Sequence, residues 1–136
     1  MDDLHRFVAA QTPIFADVLR ELRHGRKTGH WMWFVFPQVA GLGRSQTAQH
    51  FALDGVDEAR ALLAHPVLGR RLVECARLLL ELPGADPVVV LGSVDAQKLQ
   101  SSMTLFAAAD QAEPVFPAVL VKYFGGAHDG ATTSRL

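Results

Sequence analysis

Residues 65–84 read HPVLGRRLVECARLLLELPG, and this stretch decides the fold class of the chain. Its apolar side chains recur at spacings of three and four, at Leu68, Leu72, Cys75, Leu79 and Leu82. Such spacing places them on one face of an α-helix. Pro66 stands where a helix can begin, and Pro83 stands where it must end. The stretch therefore predicts one long helix that buries an apolar stripe in a core.

The same combination of proline, apolar spacing and glycine occurs at two other places in the chain. After Pro13, apolar residues keep helical spacing as far as Gly25, and after Pro114 they keep it as far as Gly125. Glycine just beyond a helix commonly ends it, because glycine adopts positive φ without strain. Two more helices are therefore expected, and the chain is helical near both ends.

Shorter helices are expected between these three. Leu4, Phe7 and Val8 indicate one near the N-terminus. Side chains that can cap helix N-termini predict three more: Ser45 before residues 46–53, Asp57 before residues 58–64, and Ser93 or Asp95 before a helix that reaches about residue 109.

Signals for β-strands are few. Residues 87–91 (PVVVL) are β-branched, but they fit one helical turn equally well, and residues 31–36 have a strand-like composition. The sequence thus predicts a mainly α protein of six or seven helices without a substantial sheet. Residues 1–136 are expected to form one domain, and the polar tail from about residue 127 is expected to fray.

Composition narrows the class of protein further. Of the 136 residues, 49% are hydrophobic and 20% charged, which excludes a disordered chain. Thirteen basic and fourteen acidic residues give a net charge of −1, so no partnership with nucleic acid or with a membrane is expected. A single cysteine and an acidic start, Met1-Asp2-Asp3, fit a cytoplasmic protein. The oligomeric state stays open.

Residues 30–38 (HWMWFVFPQ) form the first segment that can carry chemistry. Four aromatic side chains lie within six residues, which suits a connector that fills the core. A core, however, needs neither His30 at its entrance nor Gln38 at its exit. The alternative is a ligand site in which Trp31 or Trp33 stacks on a ring.

Basic residues flank this segment on both sides. Arg26 and Lys27 precede it, and Arg44 follows within the glycine turn of residues 41–45 (GLGRS). These side chains could hold an anion, with help from the free N–H groups of a helix capped by Ser45. A solvated charged face and an ordinary glycine turn are the alternatives. The turn lacks the lysine and the spacing of a P-loop.

Residues 95–106 (DAQKLQSSMTLF) form the third segment. Lys98 and Ser102 fall within the apolar arc of the expected helix, and Asp95 lies on the same side. Polar groups there are costly unless they are paired or face a cleft. One interpretation is an Asp95–Lys98 ion pair with a Ser102 hydroxyl bonded back to its own helix. The other is a row of polar groups that line a pocket.

Other common chemistries lack support in the sequence. The six histidines show no zinc-ligand spacing, so no metal site and no cofactor are expected. Cys75 lies within the leucine stripe, where a thiol is buried and inert. No Gly-x-Ser-x-Gly elbow is present for a hydrolase.

Five strings resemble a known protein family and occur in its order: GHWMWFVFPQ (29–38), GLGRS (41–45), HPVLGRRL (65–72), KLQSSMTLF (98–106) and KYFGG (122–126). The family is that of small bacterial proteins with "domain of unknown function 1810". The resemblance spans nearly the whole chain and implies a mainly helical single domain. It implies no reaction, because the family is named for lacking one.

Two hypotheses of function follow. In the first, residues 30–38, 41–45 and 95–106 form the pocket of an enzyme or ligand-binding protein for a small anionic, ring-containing molecule such as a nucleotide or an ADP-ribose-like compound. His30, Asp95 and Lys98 are its acid–base candidates. Its ligand-binding candidates are Arg26, Lys27, Trp31, Trp33, Gln38, Arg44, Ser45 and Ser102. In the second, the chain is a non-catalytic helical protein–protein interaction module.

Overall fold

The computed structural model of the chain describes residues 3–136, and helices account for 66% of the structure. They are the α-helices α1 His5–Gln11, α2 Phe15–His24, α3 Met32–Val35, α4 Gln46–Phe51, α5 Val56–Ala64, α6 Leu68–Glu81, α7 Pro87–Leu91, α8 Ser93–Ala109, α9 Val115–Phe124 and α10 Gly130–Thr133, and a 3₁₀ helix at Thr12–Ile14. Within residues 3–136 there is no sheet, and an isolated bridge joins Val39 to Leu53. The predicted all-α class is confirmed.

The helices are more numerous than the six or seven predicted, because several are too short to show a period. The strand-like residues 31–36 contain the four-residue helix α3, and residues 87–91 form the helical turn α7. Helices of four or five residues gain little from their own hydrogen bonds. Packing stabilises α3, since Trp31, Met32, Val35 and Phe36 are all buried in the core.

The caps were predicted correctly at one of three helices. The Ser45 hydroxyl accepts a hydrogen bond from the Ala48 N–H at 3.1 Å, as expected at the start of α4. Asp57 was the wrong cap for α5, which begins after Gly55. Neither Ser93 nor Asp95 caps α8, which begins after Gly92 at a φ of 86°. That conformation suits glycine, so backbone freedom starts the helix where a side-chain cap was expected.

Helix α6 buries the stripe that the sequence indicates. Leu72, Cys75 and Leu79 are all buried on one face, which confirms their predicted alignment. Burial, reinforced by the Glu74 carboxylate, raises the pKa of the Cys75 thiol far above its ordinary value. Cys75 is therefore a core residue and a poor nucleophile.

The C-terminus of α6 is capped from another helix. On α9, the Lys122 ammonium donates to the carbonyl oxygens of Leu79 at 2.9 Å and Leu80 at 3.0 Å, and also to that of Leu82. The neighbouring Tyr123 hydroxyl donates to the Leu79 oxygen at 2.5 Å. Burial lowers the pKa of Lys122. Carbonyl groups that the helix itself leaves unpaired are thus satisfied by its neighbour.

Helices α5 and α6 approach each other closely at Gly69. A Cβ atom built on Gly69 would lie 2.0 Å from the carbonyl oxygen of Leu63. Such a distance is far inside van der Waals contact, so the crossing requires a residue without a side chain.

The C-terminal tail, which is expected to fray, contains α10 and makes hydrogen bonds with α8. The Gln100 amide donates to the carbonyl of Ala127 at 3.0 Å, and the Asp129 N–H donates to the Thr104 hydroxyl at 2.9 Å. Asp129 then caps α10, and Thr132 is completely buried. Polar groups of the tail thus attach it to α8.

Helix α8 lies at the centre of the molecule, packed against α5, α7, α9 and α10. Its buried residues include the hydroxyl-bearing Ser101, Ser102 and Thr104 beside large apolar side chains. Over residues 3–136, no helix has both the length and the apolarity needed to cross a membrane.

Candidate functional site

A cavity of about 270 Å³ lies beside α8, and all three predicted segments contribute to its walls. Gln38 comes from the first segment, Leu42 and Gly43 from the second, and Lys98 and Ser101 from the third. Helix α8 also supplies Gln97, and the C-terminal tail supplies Asp129. The fold therefore joins residues about 90 positions apart around one space, which has both polar and apolar lining.

A chain of hydrogen bonds links two residues that line this cavity, Ser101 and Asp129, through the buried Thr132. The Ser101 and Thr132 hydroxyl oxygens lie 2.8 Å apart. The Thr132 hydroxyl donates to Oδ2 of Asp129 at 2.5 Å, and the Thr132 N–H donates to the same oxygen at 3.0 Å. The chain connects a buried serine on α8 to a carboxylate that lines the cavity.

Two lysines share the carboxylate of Asp95. Lys27 Nζ lies 2.8 Å from Oδ2, and Lys98 Nζ lies 3.7 Å from Oδ1. The Asp95–Lys98 ion pair, one of the two interpretations of this segment, is thus present. Lys27 makes a shorter bond to the same carboxylate, which the sequence did not indicate. The Lys98 ammonium also lies 4.7 Å from the centre of the Trp33 ring. These contacts fix the direction of Lys98 at the cavity wall.

Trp31 is held within the core. Its indole N–H donates to Oε1 of Glu21 at 3.0 Å, and the N–H groups of Thr28 and Gly29 donate to the same oxygen. Burial alone would raise the pKa of the Glu21 carboxyl, but these hydrogen bonds outweigh it and the pKa is lowered. Glu21 therefore anchors the turn that precedes α3.

The structure separates several predicted site residues from the cavity. His30 is exposed and lines a different cleft, beside Trp31, Phe34 and the carboxylate of Glu21. The three acid–base candidates are therefore not assembled around one space: Asp95 and Lys98 are neighbours, and His30 belongs elsewhere. The Lys27 ammonium is already bonded to the Asp95 carboxylate and to the carbonyl of Gly29.

The basic residues expected to bind an anion also lie outside the cavity walls. Arg26 and Arg44 are exposed, and neither lines the cavity. The Arg44 carbonyl accepts a bond from Gln49, and Ser45 uses its hydroxyl as a helix cap. Of this group, only the glycine turn itself reaches the cavity.

Ser102 differs from both interpretations made from the sequence. It is completely buried, and its hydroxyl has no hydrogen-bond partner in the described part of the chain. The expected bond back to its own helix is made instead by Thr104, whose hydroxyl donates to the carbonyl of Gln100 at 2.7 Å. The residue that turns toward the cavity is the neighbouring Ser101.

Ser101, Gln97 and Asp129 were therefore missed by the sequence reasoning. For Asp129 a local signal exists, because an aspartate three positions before Thr132 matches the spacing of a helix cap. For Ser101 no local signal exists, since its partner lies 31 positions away. Across residues 3–136, no group of three or more His, Cys, Asp or Glu side chains could hold a metal ion.

The fold and the site together define an all-α protein with a partly polar cavity beside its central helix. A family model described as "Protein of unknown function (DUF1810)" matches residues 1–136. The chain therefore belongs to the DUF1810 family, as the resemblance implied.

A solved structure also resembles the chain closely. It is the crystal structure of the conserved hypothetical protein Rv1873 from Mycobacterium tuberculosis, which shares 49% sequence identity with the chain. The two superpose with a TM-score of 0.97 over 99% of this chain and 96% of that one. Comparison with curated proteins gave no match.

Proposed function

We propose that the chain binds a small anionic, ring-containing metabolite of the nucleotide or ADP-ribose class in the cavity beside α8. The observation that carries the proposal is the position of Lys98. Of the described residues that line the cavity, Lys98 is the one cation, and amide side chains flank it at Gln38 and Gln97. Ammonium and amide groups are the donors that bind phosphate and carboxylate oxygens.

The charge balance around Lys98 favours an anion. Lys27 and Lys98 share the single carboxylate of Asp95, so this group of three carries a net positive charge. The Lys27 side chain is 8% exposed and bonded to Asp95, whereas Lys98 is 21% exposed and faces the cavity. Among the described lining residues the one carboxylate is Asp129, and two bonds from Thr132 offset part of its negative charge. A ligand anion can therefore pair with Lys98 in a partly desolvated place, where Coulomb attraction is stronger than in water.

The proposal concerns binding and names no reaction. A general acid or base must come within hydrogen-bond reach of the reacting atom. His30 lies in another cleft, and Asp95 is occupied by two lysines. Neither position supports a proton transfer at a ligand in this cavity.

The test is titration calorimetry with AMP, ADP-ribose and uncharged adenosine against the wild type and Lys98→Met. We expect AMP to bind more tightly than adenosine, and we expect the variant to bind AMP at least about 10-fold more weakly, because a charge-assisted bond contributes about 1.5–3 kcal/mol. Stability should change little, since Asp95 keeps its shorter bond to Lys27. Arg77→Met on the exposed face of α6 is the matched control.

Two results would count against the proposal. One is equal affinity for AMP and adenosine in the wild type, and the other is an unchanged affinity for AMP in Lys98→Met. Arg44→Ala adds a further comparison, because the sequence predicted that Arg44 binds the anion, whereas Arg44 does not line the cavity. If Arg44→Ala loses AMP binding while Lys98→Met keeps it, the anion lies on the outer surface.

A second candidate function, a helical protein–protein interaction module, has one observation in its favour. Val88, Val89 and Val94, on α7 and the start of α8, are 50%, 71% and 68% exposed. Exposed apolar groups of this kind can mark an interaction surface. Light scattering across a concentration series tests self-association, and Val89→Asp should lower the observed molar mass if this surface mediates it.

A further inference from the structure

The direction of each proton in the Ser101–Thr132–Asp129 chain follows from the chemistry of its members. An ionised carboxylate can only accept hydrogen bonds, so the Thr132 hydroxyl must give its single proton to Asp129. The Thr132 oxygen can then only accept from Ser101, which lies 2.8 Å away. The Ser101 proton is consequently directed away from the cavity.

This direction makes Ser101 an acceptor toward the cavity. Its hydroxyl oxygen keeps lone pairs, while its proton is committed to Thr132. Asp129 adds a second acceptor, because among residues 3–136 no hydrogen bond reaches its Oδ1. The cavity is thus lined by a cation, at Lys98, and by two groups that only accept hydrogen bonds, Ser101 and Asp129.

We infer that the cavity selects a phosphorylated sugar, with its phosphate at Lys98 and its hydroxyl groups donating to Ser101 and Asp129, an assignment that rests on the anion-binding function proposed above. Hydroxyl groups of a ligand are better partners for these two acceptors, Ser101 and Asp129, than an ammonium group is. Oδ2 of Asp129 already accepts two bonds from Thr132, which offset part of the negative charge.

The size of the cavity and the positions of the tryptophans agree with this assignment. About 270 Å³ lies below the roughly 300–1,000 Å³ typical of pockets for drug-sized ligands. A single ribose phosphate unit fits such a space better than a whole dinucleotide. Trp31 is bonded to Glu21, and the Trp33 ring is covered by Lys98, so neither lines the cavity to stack on a base.

The experiment compares phosphates of the same charge with and without hydroxyl groups by titration calorimetry on the full chain. Ribose 5-phosphate is the test ligand. Cyclopentylmethyl phosphate keeps a five-membered ring and the phosphate but lacks every hydroxyl group. We expect ribose 5-phosphate to bind at least about 5-fold more tightly, as the loss of one or two hydrogen bonds predicts.

Two adjacent serines supply the variant and its matched control. Ser101→Ala removes the acceptor and should reduce the preference for ribose 5-phosphate by about 2- to 10-fold, without weakening cyclopentylmethyl phosphate. Ser102→Ala removes an equally buried hydroxyl that does not line the cavity, and it should keep the full preference. Asp129→Asn retains an oxygen that can cap α10. It removes one acceptor oxygen of the carboxylate and should also reduce the preference for ribose 5-phosphate.

The outcomes separate this assignment from the function on which it rests. Equal binding of the two phosphates, with a loss in Lys98→Met, would overturn the sugar assignment and leave anion binding intact. Tighter binding of phosphoethanolamine than of ribose 5-phosphate would overturn it in favour of an ammonium group. Failure of every phosphate to bind the wild type would overturn both proposals.

Discussion

Helices α6 and α8 are the two longest helices described, and they use burial in different ways. In α6 the buried residues form one apolar stripe, and its outer face stays in solvent. Helix α8 is buried over most of its circumference, and three of its buried residues carry hydroxyl groups. The difference teaches that an apolar stripe reveals a helix that holds the fold together, whereas the helix beside the cavity also buries hydroxyl groups, of which that of Ser101 belongs to a residue that lines the cavity.

The largest expected effect tests the stripe of α6. Leu72→Ala should lower the free energy of unfolding by about 2–5 kcal/mol, because it leaves a cavity in a packed core. Urea denaturation measures this loss. Arg77→Ala, on the exposed face of the same helix, should stay within about 0.5 kcal/mol of the wild type. A loss below that value at Leu72 would show that the stripe is not the core of the protein.

A smaller effect is expected at the end of α6. Lys122→Met keeps the apolar stem but removes the ammonium group that three carbonyls accept from. The unfolding free energy should fall by about 1.5–3 kcal/mol, the contribution of hydrogen bonds to a charged donor. The neighbouring Val121→Ala, at an exposed position, serves as the control. If both variants unfold at the same urea concentration, the cap adds nothing to stability.

The smallest changes in unfolding free energy are expected at two serines on α8. Ser101→Ala breaks the bond to Thr132 and should cost about 0.5–1.5 kcal/mol. Ser102→Ala removes a buried hydroxyl without a partner among the described residues, so stability should stay equal or rise. Thermal unfolding of the two variants side by side gives the sign of each change. A larger loss at Ser102 would mean that its hydroxyl has a partner, such as a buried water molecule.

The all-α class was predictable because it rests on local patterns. The spacing from Leu68 to Leu79 and the glycine after α2 are readable within one helix length. Residues 31–36 were not, because their strand-like composition is overridden by burial against the rest of the core. Local preference decides long periodic segments, and tertiary contacts decide short ones.

The candidate site was predictable at the level of segments, but at the level of side chains only Gln38 and Lys98 of the predicted residues line the cavity. The sequence pointed to residues 30–38, 41–45 and 95–106, and one cavity is lined by members of all three. Which member faces the cavity depends on helix rotation and on distant partners. Ser101 and Ser102 differ by one position, and only the packing of α10 decides that Ser101 meets Thr132. The sequence alone, without the long-range contacts, cannot distinguish the two serines.

The close crossing at Gly69 has a consequence for genetics. Its φ is not in the region reserved for glycine, so a backbone argument alone would tolerate alanine there. Yet any Cβ would collide with a backbone carbonyl, which cannot rotate away as a side chain can. In a library of single substitutions scored by growth, position 69 should be as intolerant as a catalytic residue. Variants at position 69 would be depleted because the protein fails to fold, not because it loses activity. Measuring the cellular abundance of each variant together with growth would distinguish the two causes.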